Sequence, residues 1–112
     1  MDARKAVLVG SDTMGRGDDG LGATLMGSFL RKLLLTDPLP ETIVFYTAGV
    51  KLPAEGSAVL DAVQALSSRG VDLVACGTCV GFFGLSDRIV AGRVGNMGEI
   101  AEILMRHEVV TI

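Results

Sequence analysis

The sequence predicts an α/β domain with three layers, in which a mostly parallel five-stranded sheet of flavodoxin-like or Rossmann-like order carries helices on both faces. Short continuous apolar runs alternate with segments of helical periodicity, and only short turns join them. Apolar residues make up 49% of the 112 residues, which is enough to build a core without disulfide or metal staples. We therefore expect one domain over residues 1–112.

Five apolar or β-branched runs are predicted as strands, namely residues 6–9, 42–46, 71–75, 89–91 and 109–112. Right-handed crossovers between them leave a doubly wound sheet as the simplest arrangement. In a flavodoxin-like order the first and third strands are neighbours, so the loop over residues 11–19 would face the loop over residues 76–84. Ligands bind at the carboxyl edge of such sheets, and we expect the functional site there.

Helical spacing predicts three amphipathic helices. The first ends before the Asp-Pro-Leu-Pro turn at residues 37–40, and its apolar stripe is Leu21, Leu25, Phe29 and Leu33. The second begins near Pro53 or Ser57 and stops at Gly70, and its stripe is Val59, Ala62, Val63 and Leu66.

The third helix begins at Asn96, with Glu99 in a capping-box position. Its predicted apolar stripe is Met97, Ile100, Ala101, Leu104 and Met105. We expect the methionines on these helix stripes, Met26, Met97 and Met105, to be core residues without a functional role.

The overall composition excludes several classes of function. A formal net charge of −3, with 4% aromatic residues and no Trp, offers neither a basic surface nor stacking side chains for nucleic acid. No apolar run approaches the roughly 20 residues that span a bilayer, and the apolar run after residues 1–5 is too short for a signal peptide. We expect a cytoplasmic protein, and the mean hydropathy of +0.49 predicts apolar surface that other copies or a partner would cover.

The strongest local motif is Cys76-Gly77-Thr78-Cys79, which follows a predicted buried strand and precedes a helical turn. In a cytosolic chain, a C-x-x-C pair is more often catalytic or metal-binding than a structural disulfide. Backbone N–H groups and the helix dipole would lower the thiol pKa, Gly77 would permit close backbone approach, and Thr78 would donate a hydrogen bond to sulfur. The alternative is that both cysteines are small buried hydrophobic residues.

The chemistry of this cysteine pair stays open at this point. Structural zinc needs about four ligands, and the only other soft ligand is His107, so only a site shared between chains would be feasible. We expect no cofactor and no metal in the single chain. Dithiol exchange is a further possibility, because thioredoxin-like proteins use the same C-x-x-C spacing.

Two loops offer further candidate residues. Residues 15–20 match G-x-G-x-x-G, but Asp18 and Asp19 would repel a pyrophosphate, so a flexible turn with Asp19 at a helix N-terminus is favoured over dinucleotide binding. Lys51 either adds a positive charge to the site or is a solvated loop lysine. The remaining candidates, which would form one wall of the cysteine pocket, are Ser11, Asp12 and Thr13.

The string at residues 70–79, followed by Phe83-Gly84-Leu85, resembles the DsrE/DsrF-like sulfurtransferase family. Within this family it is most similar to the carboxyl-terminal domain of YedF-like selenium metabolism proteins. Weaker similarities fall in the same order along the chain, at residues 10–12, 49–52, 56–57 and 95–97. One departure is Thr47-Ala48, where the family has Asn-Gly before Gly49.

The resemblance implies a DsrE-like domain that assembles into homotrimers or homohexamers, and a sulfurtransferase-like persulfide carrier in sulfur relay or selenium metabolism. By alignment, Cys76 accepts the sulfur, and Cys79 is a feature of the YedF-like branch that would resolve the persulfide. A TusA-like sulfur-carrier protein is the implied partner. The alternatives are a non-enzymatic oligomeric module that binds a ligand or metal, and a dithiol oxidoreductase.

Overall fold

The structure is a computed structural model that describes residues 4–112. Residues 1–3, which belong to the segment predicted not to be a signal peptide, lie outside it. Five parallel strands form one sheet in the order β4-β3-β2-β1-β5. The strands are β1 (Lys5–Val9), β2 (Thr42–Phe45), β3 (Asp72–Cys76), β4 (Arg93–Gly95) and β5 (Glu108–Thr111). The predicted fold class is confirmed.

Four α-helices and one 3₁₀ helix connect the strands in the described part of the chain. The α-helices are α1 (Asp19–Leu33), α2 (Leu60–Ser68), α3 (Gly77–Phe82) and α4 (Met97–Arg106), and the 3₁₀ helix spans Thr47–Lys51. Over residues 4–112, none of these helices has the length and hydrophobicity that crossing a membrane requires.

The helices cover both faces of the sheet. The first three crossovers add strands in one direction, and α1 and α2 pack against each other. The connection through α4 runs back across the sheet to β5, so a right-handed crossover places α4 on the opposite face. Burying each large core side chain contributes about 2 kcal/mol, and the largest fully buried ones include Phe45, Met26, Leu30, Ile43, Leu66 and Leu73.

The expected neighbourhood of the first and third strands is wrong. β2 lies between β1 and β3, because the first three crossovers each add the next strand on the same side of the sheet. The loops after β1 and β3 therefore do not adjoin directly. They are joined through the segment that follows β2, which becomes the centre of the carboxyl edge.

The fourth strand was predicted at residues 89–91 but lies at Arg93–Gly95. Ile89 forms an antiparallel bridge with Ala54 outside the sheet, and Gly92, with φ of 72°, then turns the chain tightly against Leu73. Arg93 enters β4 with its guanidinium 3.0 Å from Asp72 and 2.6 Å from Glu99. The strand thus begins with a charged residue held by ion pairs, which an apolar pattern does not reveal.

Two predicted helix stripes need correction. In α1, Leu21 and Leu25 are exposed, because Gly22 lies so close to Thr13 that a Cβ on the glycine would be 2.8 Å from it. That approach turns the helix so that its buried residues are Gly22, Met26, Gly27 and Leu30. In α4, Ile100 is buried, and Ile103 and Leu104 are half-buried. Met97, Ala101 and Met105 are exposed and do not belong to the core.

The second helix starts later than predicted, at Leu60 rather than near Pro53 or Ser57. Its other predicted features, and the cap of α4, are confirmed. The α2 stripe of Val59, Ala62, Val63 and Leu66 is buried throughout. Asn96 caps α4, since its Oδ1 accepts a hydrogen bond of 2.8 Å from the Glu99 amide. The chain leaves α2 at Gly70, whose φ of 92° is readily adopted by glycine.

Candidate functional site

Three segments converge at the carboxyl edge of the sheet, where each of β1, β2 and β3 ends. Thr47, just after β2, donates its backbone N–H to Cys79 Sγ on α3 at 3.0 Å. The Thr47 hydroxyl donates to the carbonyl oxygen of Gly10, just after β1, and also lies 2.7 Å from the Tyr46 carbonyl oxygen. Thr47 therefore links the segment after β1 to the thiol after β3.

Thr47 has an unusual backbone conformation. Its φ is +46°, and it is the only non-glycine residue with positive φ in residues 4–112. A β-branched residue in this region carries strain of order 1–3 kcal/mol, which persists only where surrounding interactions enforce it. The hydroxyl contacts to two carbonyl groups provide that enforcement, and the strained conformation directs the N–H at the sulfur.

Gly49 holds the segments after β1 and β2 against each other. A Cβ at this position would overlap the Val9 carbonyl oxygen and lie 3.4 Å from the Ser11 amide nitrogen. Both neighbours are backbone atoms, which cannot move aside as a flexible side chain can. The bare backbone of Gly49 is thus a condition for placing Thr47 beside Gly10.

The two cysteines differ in accessibility. Both are free thiols. Cys76 ends β3 at the N-cap position of α3 and is only 1% exposed, whereas Cys79, in the first turn of α3, is half-buried. Among the two, Cys79 is the thiol that a solute can reach.

Burial raises the pKa of the Cys79 thiol above its usual range, and the neighbouring Cys76 thiol adds to the rise. The hydrogen bond from the Thr47 amide acts in the opposite direction, because it stabilises the thiolate. The net direction is opposite to the lowered thiol pKa expected from the sequence. Desolvation outweighs the stabilising hydrogen bond at this position.

We expect the alkylation rate of Cys79 to keep rising with pH beyond the range in which an ordinary cysteine levels off. Because the thiolate is the reactive form, the rate should rise about tenfold per pH unit below the pKa. The measurement is the iodoacetamide rate of the Cys76→Ser variant from neutral to strongly alkaline pH, followed by intact mass. The same variant unfolded in urea is the control. If the pH midpoint of the alkylation rate were lower in the folded protein than in the unfolded control, the raised pKa of Cys79 would be contradicted.

The predicted site residues fall into two groups. Gly77 and Thr78 lie beside the cysteines in the first turn of α3, but Thr78 is exposed, and the hydrogen bond to Cys79 Sγ comes from the Thr47 amide. A Cβ on Gly77 would meet its nearest neighbours at 3.4 Å, so this position does not require glycine for space. In the sequence, Thr47 stands out only as a departure from the Asn-Gly of the family that it resembles. Asparagine adopts positive φ more readily than threonine, and this was the one signal that could have identified the position.

The predicted wall at Ser11, Asp12 and Thr13 forms part of the same edge. Ser11 and Thr13 bond each other, with their hydroxyl oxygens 3.1 Å apart and the Thr13 amide donating to Ser11 Oγ at 3.1 Å. Asp12 and Lys51 line a neighbouring cleft of about 590 Å³. Neither cysteine is among the residues that line this cleft, but Phe83, which lies one helical turn after Cys79 in the sequence, is.

The glycine-rich segment at residues 15–20 is the loop that leads into α1, which begins at Asp19. Asp18 is the N-cap of that helix, and its carboxylate accepts a hydrogen bond of 2.7 Å from the Leu21 amide. Gly15 and Gly17 have positive φ, as expected of a turn. A bound pyrophosphate would need the N–H groups of the helix N-terminus, but the Leu21 amide is already bonded to the Asp18 carboxylate. This agrees with the predicted turn.

His107 lies at the opposite, amino edge of the sheet. Its Nδ1 is 2.6 Å from the Ile103 carbonyl oxygen, and its Nε2 is 3.0 Å from Glu41 Oε1. It cannot join the cysteines as a metal ligand within one chain. Over residues 4–112, no three His, Cys, Asp or Glu side chains are grouped so that they could hold a metal ion.

No protein-family model matches the sequence, and the search of curated proteins found no match. Solved structures do match. YchN from E. coli aligns with a TM-score of 0.74 at 17% identity, covering 97% of this chain and 99% of that chain. MTH1491 from Methanobacterium thermoautotrophicum, a protein of unknown function, aligns with a TM-score of 0.74 at 20% identity, over 99% and 100% of the two chains.

A third solved structure gives the same result. BT1422 from Bacteroides thetaiotaomicron, a conserved protein of unknown function, aligns with a TM-score of 0.67 at 18% identity, over 96% of this chain and 94% of that chain. At such identities the similarity concerns the backbone. The chain has the DsrE/YchN-like α/β fold.

Proposed function

We propose that this protein is a sulfur carrier that holds a sulfur atom as a persulfide on its C-x-x-C pair, in sulfur relay or selenium metabolism. The observation that supports the proposal best is the half-buried Cys79 thiol, whose sulfur accepts the Thr47 N–H at 3.0 Å. The same N–H can stabilise a thiolate or a persulfide anion at this place. The resemblance at residues 70–79 agrees with this chemistry.

The proposed loading step transfers one sulfur atom without net oxidation. The Cys79 thiolate attacks the outer sulfur of a donor persulfide, and a new Cys79 Sγ–S bond forms as the S–S bond of the donor breaks. The donor leaves as a thiolate with the electron pair of that bond, and the proton lost by Cys79 reaches it through solvent. An acceptor thiolate then attacks the same outer sulfur, and Cys79 leaves as the thiolate.

A second route would release the sulfur as hydrosulfide. The Cys76 thiolate attacks Cys79 Sγ, a Cys76–Cys79 disulfide forms, and the outer sulfur leaves with the electron pair of its bond to Cys79. The two cysteines are oxidised and the outer sulfur is reduced. A dithiol reductant must then supply two electrons to restore both thiols.

The sequence resemblance implies that Cys76 accepts the sulfur, and this stays a prediction. Cys76 is only 1% exposed, and an attacking thiolate must reach the donor sulfur. The burial of Cys76 therefore favours Cys79 as the attacking thiol. We propose Cys79 as the thiol that takes up sulfur and Cys76 as the one that resolves it. Only the two roles are exchanged, while the pair remains the reacting unit.

The proposal is tested by intact-mass spectrometry of the fully reduced protein after incubation with inorganic polysulfide. We expect an adduct with the mass of one sulfur atom, which a dithiol reductant removes. Absence of the adduct while both thiols remain free would refute the carrier function. Stoichiometric zinc in the purified protein would favour a metal-binding module, and catalytic reduction of disulfide substrates would favour a dithiol oxidoreductase.

Self-association into trimers or hexamers is also proposed, and exposed apolar side chains support it. Phe82, at the end of α3, is 83% exposed and stacks edge-on against Phe83 with ring centroids 5.0 Å apart. Large apolar side chains in such positions favour contact with another surface. A TusA-like carrier would be a second occupant of a surface this close to the thiol.

We expect Phe82→Ser to lower the oligomeric mass without destabilising the fold, because the ring is almost entirely in solvent. Light scattering after size-exclusion chromatography measures the mass, and thermal unfolding checks the fold. Leu35→Ser is the matched control, since Leu35 is 77% exposed but lies after α1, away from the thiol segment. An unchanged mass for the Phe82 variant would exclude Phe82 from the interface.

A further inference from the structure

The cleft near Cys79 contains charged side chains that take no part in the proposed loading step. Its volume is about 590 Å³, which lies within the range of small-molecule sites. Its apolar wall includes Met26, Leu52, Phe83 and Leu85, and its charged residues are Lys51, Asp12 and Glu55. None of these three charged side chains takes part in an ion pair within residues 4–112.

Lys51 is held in a defined position. Its ammonium nitrogen lies 4.6 Å above the centre of the Phe83 ring, an attractive cation–π arrangement that leaves its N–H donors free. Asp12 comes from the segment after β1 and Glu55 from the segment before α2. One cation and two carboxylates from different segments therefore face a common space.

Two segments of the chain, the 3₁₀ helix and the end of α3, connect the cleft with the Cys79 thiol. Thr47, which bonds the Cys79 sulfur, and Lys51 are the two ends of one 3₁₀ helix. The four-residue rise between them is about 8 Å. Phe83 lines the cleft, and its amide donates to the Cys79 carbonyl oxygen at 3.1 Å. A small compound bound at Lys51 can thus reach Cys79.

We infer that the cleft binds the sulfur donor as a thiol compound of the amino-acid type, with one carboxylate and one ammonium group. The carboxylate would pair with Lys51, the ammonium with Asp12 or Glu55, and the methylene groups would lie against the apolar wall. A phosphate compound fits less well, because two carboxylates would repel it. This inference rests on the proposed function and names the donor class for the same site.

Three donors with the same sulfur chemistry test the charge pattern, namely the persulfides of cysteine, cysteamine and 3-mercaptopropionate. The cysteine persulfide carries both charged groups. The cysteamine persulfide carries only the ammonium, and the 3-mercaptopropionate persulfide carries only the carboxylate. Loading of Cys79 is followed by intact mass, and each rate is divided by the rate of the same protein with inorganic polysulfide. Lys51→Met should lower the relative rates of the cysteine and 3-mercaptopropionate persulfides, which carry a carboxylate, about fivefold. The double substitution Asp12→Asn with Glu55→Gln should lower the relative rates of the cysteine and cysteamine persulfides, which carry an ammonium group, by a similar factor.

Lys32→Met is the matched control, because it removes the same charge from an exposed position at the end of α1, outside the cleft. Equal effects of Lys51→Met on all three donors would overturn the inference while leaving the carrier function intact. Absence of loading from polysulfide would instead refute the carrier function.

Binding without transfer provides a separate readout. S-methylcysteine, which has no free thiol, should shift the amide resonances of residues 55–59, and S-methylcysteamine should shift them less. If neither compound shifts these resonances, the inference fails regardless of the loading result.

Discussion

Gly49→Ala is expected to lower the free energy of unfolding by about 3 kcal/mol or more, because its Cβ would overlap the backbone oxygen of Val9. Relief requires the segments after β1 and β2 to separate, which also breaks the contact between Thr47 and Gly10. For a domain of this size, the loss corresponds to a fall in Tm of roughly 10 °C or more. Thermal and urea unfolding followed by circular dichroism measure it.

Gly81→Ala is the matched control for this substitution. Gly81 lies inside α3 with negative φ, and nothing stands within 4 Å of the position that its Cβ would occupy. Alanine favours a helix interior over glycine by up to about 1 kcal/mol, so this variant should be as stable as the parent or more so. A Gly49→Ala protein as stable as Gly81→Ala would show that the two segments do not meet as described.

Cys79→Ser is expected to abolish persulfide loading, because it removes the thiol that a donor can reach. Cys76→Ser should still load, but it should retain the sulfur when the wild-type protein releases hydrosulfide, since no second thiol is left to form the disulfide. Intact mass after polysulfide treatment measures the loading, and a methylene blue assay of the medium measures the hydrosulfide.

The reverse result for this pair of variants would be equally informative. Loading that persists in Cys79→Ser and disappears in Cys76→Ser would restore the sulfur-accepting role that the sequence resemblance implies for Cys76. It would also require α3 to move before sulfur transfer, because Cys76 is 1% exposed. Thermal unfolding of both variants separates a lost nucleophile from a lost fold.

Much of the fold follows from patterns that are local in the sequence. The buried stripe of α2, the Asn96 cap and four of the five strands were predicted, because burial on one helix face or on two strand faces leaves a regular apolar period. The same alternation placed the candidate site at the carboxyl edge. β4 was not predicted at its true position because it begins with the charged Arg93 and has no apolar pattern. Arg93 is held by ion pairs with Asp72 on β3 and Glu99 on α4.

The details of the site depend on contacts between segments far apart in the sequence. The hydrogen bond from Thr47 to Cys79 joins residues 32 positions apart and needs β2 to adjoin β3. The contact of Thr47 with Gly10 needs β2 to adjoin β1 as well. The flavodoxin-like order placed the wrong strand in the centre, so the role of the segment after β2 was missed. The rise in the Cys79 pKa likewise comes from burial in the assembled domain, which the C-G-T-C string cannot show.

The two edges of the sheet also bear on how this protein behaves at high concentration. β4 has three residues and β5 has four, and each begins with a charged residue, Arg93 or Glu108. Short, charged edge strands resist the addition of a further strand from another chain, which is a common start of aggregation in β-sheet proteins. Copies of this chain should therefore meet through helix and loop side chains, and the sheet should not extend from one molecule to the next.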